Sequence, residues 1–400
     1  MTYDVHKIRS HFPSLNTGLA FFCGPGGSQV PLVVGAAIAH AITKPISNRN
    51  TNTESEKNAE EYVVGFRQAV GDLIDVDPRG VVYGRSWTQL TYDFSRTLAK
   101  NWGPGDEVVV SRLDHDSNVR PWIQAAEAVG ATVRWAEIDT KTTEISVAAV
   151  EAVLSSKTKL VAITGAGNTI GTRPDLKAIG VAVHKVGALF YVDGVHLTPH
   201  AAISVKDIGA DFFGFSFYKL MGPHCAALAA SPALLESLSN DKLLPATNIV
   251  PERFEFGTLP YELMAGCIAA VDFISEMAPG NGVTRREKIV NSMNALEKYE
   301  DELLEYLESS VASLPGVVLY GHAKHRTPTI YFSFAGHNSV DIYKAMALKS
   351  VTLPASNFYA LEVSRALGLG DAGALRAGLA PYSTRDDVDR LVAGLKELTA

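Results

Sequence analysis

Cysteine is scarce in this chain of 400 residues, and the three cysteines, Cys23, Cys225 and Cys267, lie far apart in the sequence. Their number and spacing predict neither a disulfide framework nor a CxxC-type metal site, so we expect no metal and a reducing compartment. No apolar run is as long as a membrane span. The first residues mix charges and lack the apolar stretch of a secretory signal, which predicts a cytoplasmic protein without a membrane partner.

A basic block is missing too. The net charge of −7 is spread along the chain, which argues against a nucleic-acid partner and favours a small-molecule substrate. Internal repeats and low-complexity linkers are also absent. Hydrophobic residues make up 46% of the chain and charged residues 20%, the composition of a globular enzyme, and the length predicts two domains rather than one.

Short apolar runs alternate with amphipathic stretches between about residues 80 and 230. This alternation predicts an α/β fold with a mostly parallel sheet, whose ligands collect at the carboxyl ends of the strands. The candidate strands are residues 81–83, 107–111, 132–135, 160–164, 189–192 and 212–215, and the candidate helices between them are 120–129, 147–154 and 175–186.

Two longer helical stretches, residues 262–277 and 285–313, suggest a connector between domains. Beyond them lie three short candidate strands, 317–320, 329–334 and 350–352, and helical patterns near 340–348 and 386–398. This final part predicts a smaller α+β domain.

Lys219 carries the strongest chemical signal. It ends the run Phe215-Ser216-Phe217-Tyr218-Lys219, shortly after Asp193 at the end of an apolar stretch. A lysine that follows a small hydroxyl residue, downstream of such an aspartate, is what an enzyme needs to hold pyridoxal phosphate (PLP). Lys219 would form a Schiff base with the aldehyde. Asp193 would keep the pyridine nitrogen protonated, so that the ring accepts electrons from a carbanion at the substrate's alpha carbon.

Polar residues follow three other predicted strands. The amides of the turn at Trp87-Thr88 and the Thr88 hydroxyl could bind an anion, with an ordinary helix N-cap as the alternative. His115 could stack on the cofactor ring and move protons near neutral pH, or be a solvated loop histidine. Asn168 could donate to the phenolic oxygen of PLP, or form a turn with its neighbouring glycines.

The order phosphate loop, histidine, asparagine, aspartate and lysine lets all five meet in one crevice, because each follows a different predicted strand. With Gly24-Pro25-Gly26-Gly27, Gly222-Pro223-His224 and Asn357-Phe358-Tyr359-Ala360, this order makes the chain resemble the class V aminotransferase family over nearly its whole length. Its motifs are most similar to those of a cysteine-desulfurase-like branch. The family consists of fold-type I PLP enzymes.

The resemblance implies an α/β architecture with two domains. A large domain with a mostly parallel seven-stranded sheet would be joined to a smaller C-terminal α+β domain. Residues 1–20 would pack on the small domain, residues 21–265 would form the PLP-binding domain, and residues 266–400 would form the connector helix and the small domain.

The resemblance also implies roles for residues that bind the cofactor. Lys219 would be the Schiff-base lysine, Asp193 the partner of the pyridine nitrogen, and His115 the ring stacked on the cofactor. The remaining contacts would be made by the Trp87 amide, Thr88, Ser216 and Tyr218 at the phosphate, and by Asn168 and His196 at the phenolic oxygen. Thr258 matches a residue that reaches the phosphate of the neighbouring subunit, which implies a homodimer with shared active sites.

Substrate contacts are expected at four positions. Arg376, otherwise a surface arginine, matches the family arginine that binds an alpha-carboxylate, so the resemblance implies an amino-acid substrate. Gly26 would let a ligand approach the backbone closely. Arg49 lies in an asparagine-rich loop, residues 46–53, that either lines the site or is merely solvated. Asn357 lies in the stretch before Arg376.

One departure from the family limits the activity. Cysteine desulfurases carry a nucleophilic cysteine on a mobile loop before the substrate arginine, and residues 352–359 contain none. Persulfide chemistry is therefore not expected, since it needs a thiolate. Cys225 would be a small buried hydrophobic residue, and Cys23 would either pack behind Phe22 or present a thiol near the entrance.

We predict a PLP-dependent enzyme of lyase type that eliminates a side-chain substituent from an amino acid, like a desulfurase without the persulfide cysteine. Three alternatives stay open. They are C–C or C–N bond formation or decarboxylation in specialised metabolism, transamination, and a non-catalytic scaffold with a PLP-enzyme fold.

Overall fold

Short strands alternate with helices along residues 3–399, which the computed structural model describes. The strands, in chain order, are β1 (Ala20–Phe21), β2 (Val81–Gly84), β3 (Glu107–Ser111), β4 (Thr132–Ala136), β5 (Thr158–Thr164), β6 (Leu189–Asp193), β7 (Phe212–Ser216), β8 (Ala226–Ala230), β9 (Val317–Tyr320), β10 (Thr329–Phe334), β11 (Val351–Thr352), β12 (Ala355–Ser356) and β13 (Ala374–Gly378).

The helices cover both faces of the larger sheet and one face of the smaller one. In chain order they are α1 (Val5–Arg9), α2 (Leu32–Thr43), α3 (Glu54–Ile74), α4 (Trp87–Ala99), α5 (Arg120–Val129), α6 (Val147–Glu151), α7 (Leu176–Lys185), α8 (Val205–Ile208), α9 (Pro232–Ser237), α10 (Tyr261–Ser275), α11 (Arg285–Ala312), α12 (Ser339–Leu348), α13 (Leu361–Ala366) and α14 (Arg385–Thr399). No helix in this described part is long and apolar enough to cross a membrane.

The large sheet has the order β2-β8-β7-β6-β5-β3-β4 within residues 3–399. Only β8 runs antiparallel to its neighbours, and the pairs from β7 to β4 are all parallel. The predicted α/β fold with a mostly parallel seven-stranded sheet is therefore confirmed. Its parallel strands bring the segments that follow β3, β5, β6 and β7 to one edge.

Alternation along the buried strands builds two apolar cores, one on each face of this sheet. Val108 and Val110 of β3 belong to one core and Val109 to the other. The sequence of such a strand is a continuous apolar run because helices cover both faces of the sheet and side chains on both faces are buried. This is why the apolar runs in the sequence predicted these strands closely.

Strand β8 was not among the sequence predictions. Its sequence, Ala-Ala-Leu-Ala-Ala, lacks the β-branched and aromatic residues that favour strands. It is nevertheless a strand because it pairs on both sides, with Val81–Gly84 and with Phe212–Ser216. Tertiary pairing overrides local propensity here.

The second sheet is antiparallel and has the order β12-β13-β10-β9 in the described chain. Its core packs Phe332 and Leu375 against apolar side chains of α11, α12 and α14, among them Leu307, Met346 and Leu391. The long helix α11 runs from the large domain to this smaller α+β unit. Strand β13, which carries Arg376, was also not predicted as a strand.

The amino-terminal segment contacts residues near the carboxyl terminus. The Tyr3 hydroxyl donates to the carbonyl oxygen of Pro381 at 2.7 Å, and Arg9 forms a 2.8 Å ion pair with Asp387. Strand β1 pairs in parallel with β11. The domain boundaries at residues 20 and 265 remain predictions, and the second of them falls inside α10.

Candidate active site

Side chains from several strand ends and from the small domain meet in a cleft of about 640 Å³. An inner cavity of about 70 Å³ adjoins it. Both spaces are lined by His115, Asn168 and Lys219, so they form one site. The predicted residues that line it are Gly26, Trp87, Thr88, His115, Asn168, Asp193, His196, Ser216, Tyr218, Lys219 and Arg376.

Lys219 and Asp193 are buried together at the inner end of the site, with 7% and 3% of their surfaces exposed. Burial and the charge of Arg376 hold the pKa of Lys219 below its usual range, whereas burial raises the pKa of Asp193. A lysine with a lowered pKa is more often unprotonated at neutral pH. It is therefore suited to attack an aldehyde.

Two donors fix the carboxylate of Asp193. The indole Nε1 of Trp87 donates to Oδ2 at 2.8 Å, and the backbone N–H of Val195 donates to Oδ1 at 2.9 Å. Hydrogen bonds of this kind favour the charged carboxylate and oppose the effect of burial on its pKa. The sequence predicted a role for the Trp87 amide only, and the indole contact was missed.

His115 lines both parts of the site. Its Nδ1 accepts the backbone N–H of Ser117 at 3.1 Å, so the proton of the neutral ring lies on Nε2. Burial, with the charges of Lys219 and Arg376, lowers the pKa of His115 to about 3. A ring that is uncharged at neutral pH suits stacking on an aromatic cofactor better than the proton transfer suggested by its sequence position.

Two buried polar atoms beside the inner cavity, Asn168 Oδ1 and His196 Nδ1, have no hydrogen-bond partner among residues 3–399. The other polar atoms of these side chains are engaged. Asn168 Nδ2 donates to the carbonyl oxygen of Phe358 at 2.9 Å, and His196 Nε2 lies 3.0 Å from the Thr327 hydroxyl. Because an unpartnered buried polar atom is costly, the two atoms indicate a polar ligand in this cavity.

The amino terminus of α4 supplies groups for an anion. Ser86, not Thr88, is the helix N-cap, since its hydroxyl accepts the N–H of Gln89 at 3.1 Å. The amides of Trp87 and Thr88 begin the first turn, where the helix dipole favours negative charge. Thr88, Ser216 and Tyr218 line the same inner cavity.

These residues fit PLP. The inner cavity offers a buried amine for the aldehyde, a buried carboxylate for the pyridine nitrogen and a helix amino terminus for the phosphate. Two unpartnered polar atoms also lie beside it: His196 Nδ1 could contact the phenolic oxygen, whereas Asn168 Oδ1 can only accept a hydrogen bond, because the Asn168 Nδ2 donor predicted for that oxygen is bonded to Phe358. The fit rests on the four chemically distinct groups that surround this single space.

Arg376 is 2% exposed and faces the cleft from β13. Its Nη1 donates to the carbonyl oxygen of Asn168 at 2.9 Å, and its Nε has no partner in the described chain. Burial lowers its pKa to about 9, and no aspartate or glutamate is among the groups that oppose this shift. A buried guanidinium without a carboxylate partner is prepared for an anionic ligand. Gly26 leaves room beside it, since an added Cβ there would lie 3.2 Å from Nη2.

The segment Ser356–Tyr359 begins in strand β12 of the second sheet and lines the cleft. Phe358 and Tyr359 have left-handed backbones, with φ of 53° and 59°, which is costly for residues other than glycine. This conformation brings the ring of Phe358 to 3.7 Å from the guanidinium of Arg376. It also brings the ring of Tyr359 to 5.5 Å from that of His115, and the Tyr359 carbonyl oxygen accepts the N–H of Asp116 at 2.7 Å.

Three predicted residues line neither part of the site. Arg49 is paired with Glu60 at 2.8 Å and with Glu252 at 3.3 Å. Thr258 lies on an exposed segment. Asn357 donates to the carbonyl oxygen of Asp371 at 2.8 Å and accepts the N–H of Tyr359 at 2.9 Å, so its side chain shapes the loop. Roles for these three in binding remain predictions.

Several residues of the site were not predicted. Tyr92 lines the cleft one helical turn after Thr88, and this i, i+4 spacing could have revealed it. Asp114 is buried beside His115, where it accepts a hydrogen bond from Asn118 and burial raises its pKa to about 8. The contact of Phe358 with Arg376 could not be predicted from the sequence, because the spacing of the two residues along the chain does not indicate that their side chains meet.

Comparison with known proteins agrees with this geometry. The sequence profile of the class V aminotransferase family matches residues 20–391. An uncharacterized protein of Mycobacterium tuberculosis, MT3887, is 32% identical over 100% of both chains. The aminotransferase-like protein FGM3 of Gibberella zeae is 30% identical, covering 99% of this chain and 98% of its own. A cysteine desulfurase of Dickeya dadantii is 28% identical over 99% of this chain and 97% of its own.

The fold has solved counterparts. The cysteine desulfurase CsdA of Escherichia coli superimposes with a TM-score of 0.88, covers 100% of both chains and is 23% identical. Fold and site together define a fold-type I PLP-dependent enzyme. The chain belongs to the class V aminotransferase family, and its cofactor is pyridoxal phosphate.

Proposed function

We propose that this enzyme is a lyase that eliminates a side-chain substituent from an alpha-amino acid, with PLP held by Lys219. When bound, PLP supplies an electron sink for the bond broken at the alpha carbon. Relatives named cysteine desulfurases, similar along the whole chain, support chemistry at the side chain. The observation that carries the proposal is the guanidinium of Arg376, which is buried in the same cleft as Lys219 and has no carboxylate partner among residues 3–399.

Arg376 binds the substrate's alpha-carboxylate. Its planar fork can donate two hydrogen bonds to the carboxylate oxygens, and the ring of Phe358 packed on its face restricts the orientation of the fork. Orientation matters because the bond to be broken must be aligned with the cofactor, and a fixed anchor supplies that alignment before reaction. The amino group of the substrate then faces Lys219.

Lys219 moves the proton of the alpha carbon. As a free amine, its Nζ is buried next to the positive charge of Arg376, and both conditions lower its pKa. A lysine whose pKa is lowered to about 8 is unprotonated more often near neutral pH than an ordinary lysine, and in that form it can take up the alpha proton. Asp193 would place a negative charge beside the pyridine nitrogen of bound PLP.

None of the three cysteines lines the cleft or the inner cavity in the described residues. Cys225 and Cys267 lie in the interior with their sulfur atoms 3.0 Å apart, and burial raises the pKa values of Cys267 and Cys23. Thiolates are disfavoured at such positions. The leaving group is therefore released into the cleft rather than transferred to a protein sulfur. The free thiols also support a cytoplasmic location.

A homodimer completes the proposal. Large apolar side chains are exposed in the segment that leads to Thr258, where Leu244 is 97% exposed, and on the surface of α2. Exposed apolar patches of this kind mark protein interfaces. Mixing Lys219→Ala and Thr258→Asp chains tests sharing of the site. If Thr258 serves the neighbouring site, each hybrid dimer holds one intact site and regains activity; no recovery on mixing two impaired variants contradicts the shared site.

The reaction is tested by supplying purified enzyme with single amino acids, without a keto acid, and measuring pyruvate, other keto acids, ammonia and sulfide. A lyase releases ammonia and a keto acid continuously, and Lys219→Ala, as the control, releases neither. Carbon dioxide is measured in the same reactions. Release of carbon dioxide without ammonia would contradict the lyase proposal and show that the enzyme is a decarboxylase.

Transamination is the second candidate. It is favoured by the relative FGM3, which is named as aminotransferase-like and matches nearly the whole chain. Arg376 and Lys219 would act in the same way, but the proton would return to the cofactor side and a keto acid would be required to complete the cycle. Amino exchange that depends on an added keto acid, as the only activity, would establish this candidate instead.

A further inference from the structure

The indole of Trp87 is a buried donor to a catalytic carboxylate. Trp87 and Asp193 are each 3% exposed, and Nε1 of the indole donates to Asp193 Oδ2 at 2.8 Å. The backbone of Val195 engages the other oxygen. The two bonds together fix both the position and the plane of the carboxylate.

Two residues of the large sheet contact this indole. Gly214 of β7 lies against the ring, and a Cβ added there would come within 1.9 Å of Trp87 Cζ3. Tyr191 packs on the ring at 5.4 Å between centroids, and Trp122 packs edge-on against Tyr191 at 4.7 Å. Because Gly214 has no side chain, the indole of Trp87 can fill the space above β7, and the first turn of α4 packs closely on the strand at this contact.

We infer that Trp87 is a positioning residue for the cofactor, which acts by keeping the carboxylate of Asp193 ionised and correctly oriented for the pyridine nitrogen of PLP. The inference does not depend on which bond of the substrate is broken. The indole role is separate from the one expected for the Trp87 amide, so that Trp87 would act both at the phosphate and, through Asp193, at the pyridine nitrogen.

The charges around Asp193 explain why such a donor is needed. Lys219 is the cation that faces it, whereas Asp114, Tyr191 and Tyr218 are acidic groups close enough to interact with it. Burial favours the neutral acid, and the donors Trp87 and Val195 favour the carboxylate. Without the indole N–H, one of the contacts that favour the carboxylate is lost, so the pKa of Asp193 rises further and its side chain is less firmly oriented toward the pyridine nitrogen.

The test is Trp87→Phe, which keeps an aromatic ring and removes the N–H. Trp122→Phe is the matched control, because the Trp122 indole donates to the neutral oxygen of Asn118 at 3.1 Å rather than to Asp193. We expect Trp87→Phe to weaken PLP binding about tenfold, as for loss of a hydrogen bond to a charged group. The pH below which the visible absorption of the bound cofactor changes should move upward. Trp122→Phe should shift neither quantity.

Folding effects are separated from this role in two ways. Thermal unfolding of the apoproteins shows whether both phenylalanine variants fold, and PLP affinity is measured only on folded protein. A second set repeats Trp87→Phe in an Asp193→Asn background, where the charged acceptor is absent and the added loss should be less than twofold. Equal losses in both backgrounds, an unchanged pH response, or the same loss in Trp122→Phe would overturn the inference.

Discussion

Replacing Arg376 with glutamine separates binding from stability. The substitution removes a buried guanidinium that has a backbone partner, Asn168, but no carboxylate partner in the described chain. If Arg376 binds the alpha-carboxylate, activity falls while the apoprotein does not lose stability. An uncompensated buried charge opposes folding, so its removal can even raise the free energy of unfolding.

The magnitude follows from the two hydrogen bonds that a guanidinium fork makes to a carboxylate. Each hydrogen bond to a charged group contributes about 1.5–3 kcal/mol, so loss of both lowers kcat/KM about 10²- to 10⁴-fold. Arg376→Lys keeps the charge and loses the fork, so it should fall between wild type and Arg376→Gln. Since the charge of Arg376 helps to lower the pKa of Lys219, loading of PLP onto the Arg376→Gln apoprotein should have a higher pH midpoint.

The assay measures kcat and KM for the best amino acid, together with urea unfolding of each apoprotein. Arg120→Gln is the control, because Arg120 lines the same cleft but already pairs with Asp116 at 3.0 Å. Its kcat/KM should change less than about tenfold, as expected for a partly exposed pair. The reasoning is refuted if Arg376→Gln leaves KM unchanged. It is also refuted if the loss of activity is accompanied by a fall of more than about 2 kcal/mol in the free energy of unfolding.

Three other substitutions test neighbouring parts of the site. Phe358→Ala removes the ring packed on Arg376. Loss of this cation–π contact should raise KM about threefold to tenfold, with a smaller effect on kcat. A change in kcat alone would contradict this role. Thr88→Val should weaken PLP binding about tenfold, as measured by titrating the apoprotein with PLP, and should leave the visible absorption maximum unchanged. An unchanged affinity would show that Thr88 does not bind the phosphate. His115→Gln tests the pKa of about 3. Below about pH 6.5 a histidine takes up a proton in the unfolded chain, whereas His115 stays neutral in the folded protein. The free energy of unfolding therefore falls as the pH is lowered. Wild-type apoprotein should therefore lose about 1–2 kcal/mol more than His115→Gln between pH 7 and pH 5, and equal losses would show that His115 titrates normally.

The residues at strand ends could be predicted because a parallel sheet converts sequence order into a shared edge. His115 and Asn168 follow β3 and β5, Asp193 ends β6 and Lys219 follows β7, so a histidine, an asparagine, an aspartate and a lysine in this order had to converge. The apolar runs that defined these strands are continuous because both faces of the sheet are covered.

Contacts between distant side chains could not be predicted in the same way. The Trp87 indole meets Asp193 from 106 residues away, and only the space left by Gly214 allows the approach. The ring of Phe358 reaches Arg376 because two consecutive residues adopt left-handed backbones, a conformation that the sequence Phe-Tyr does not favour. Such features depend on how distant elements of the chain pack together, and periodicity carries no information about them.

Counting turnovers without a keto acid tests the proposed reaction most directly. Purified enzyme saturated with PLP is mixed with a large excess of the best amino acid, and the keto acid and ammonia formed per active site are measured over time. A lyase forms many equivalents of both products per site. A single equivalent of keto acid, with further product only after an added amino acceptor, would contradict the account and assign the enzyme to transamination.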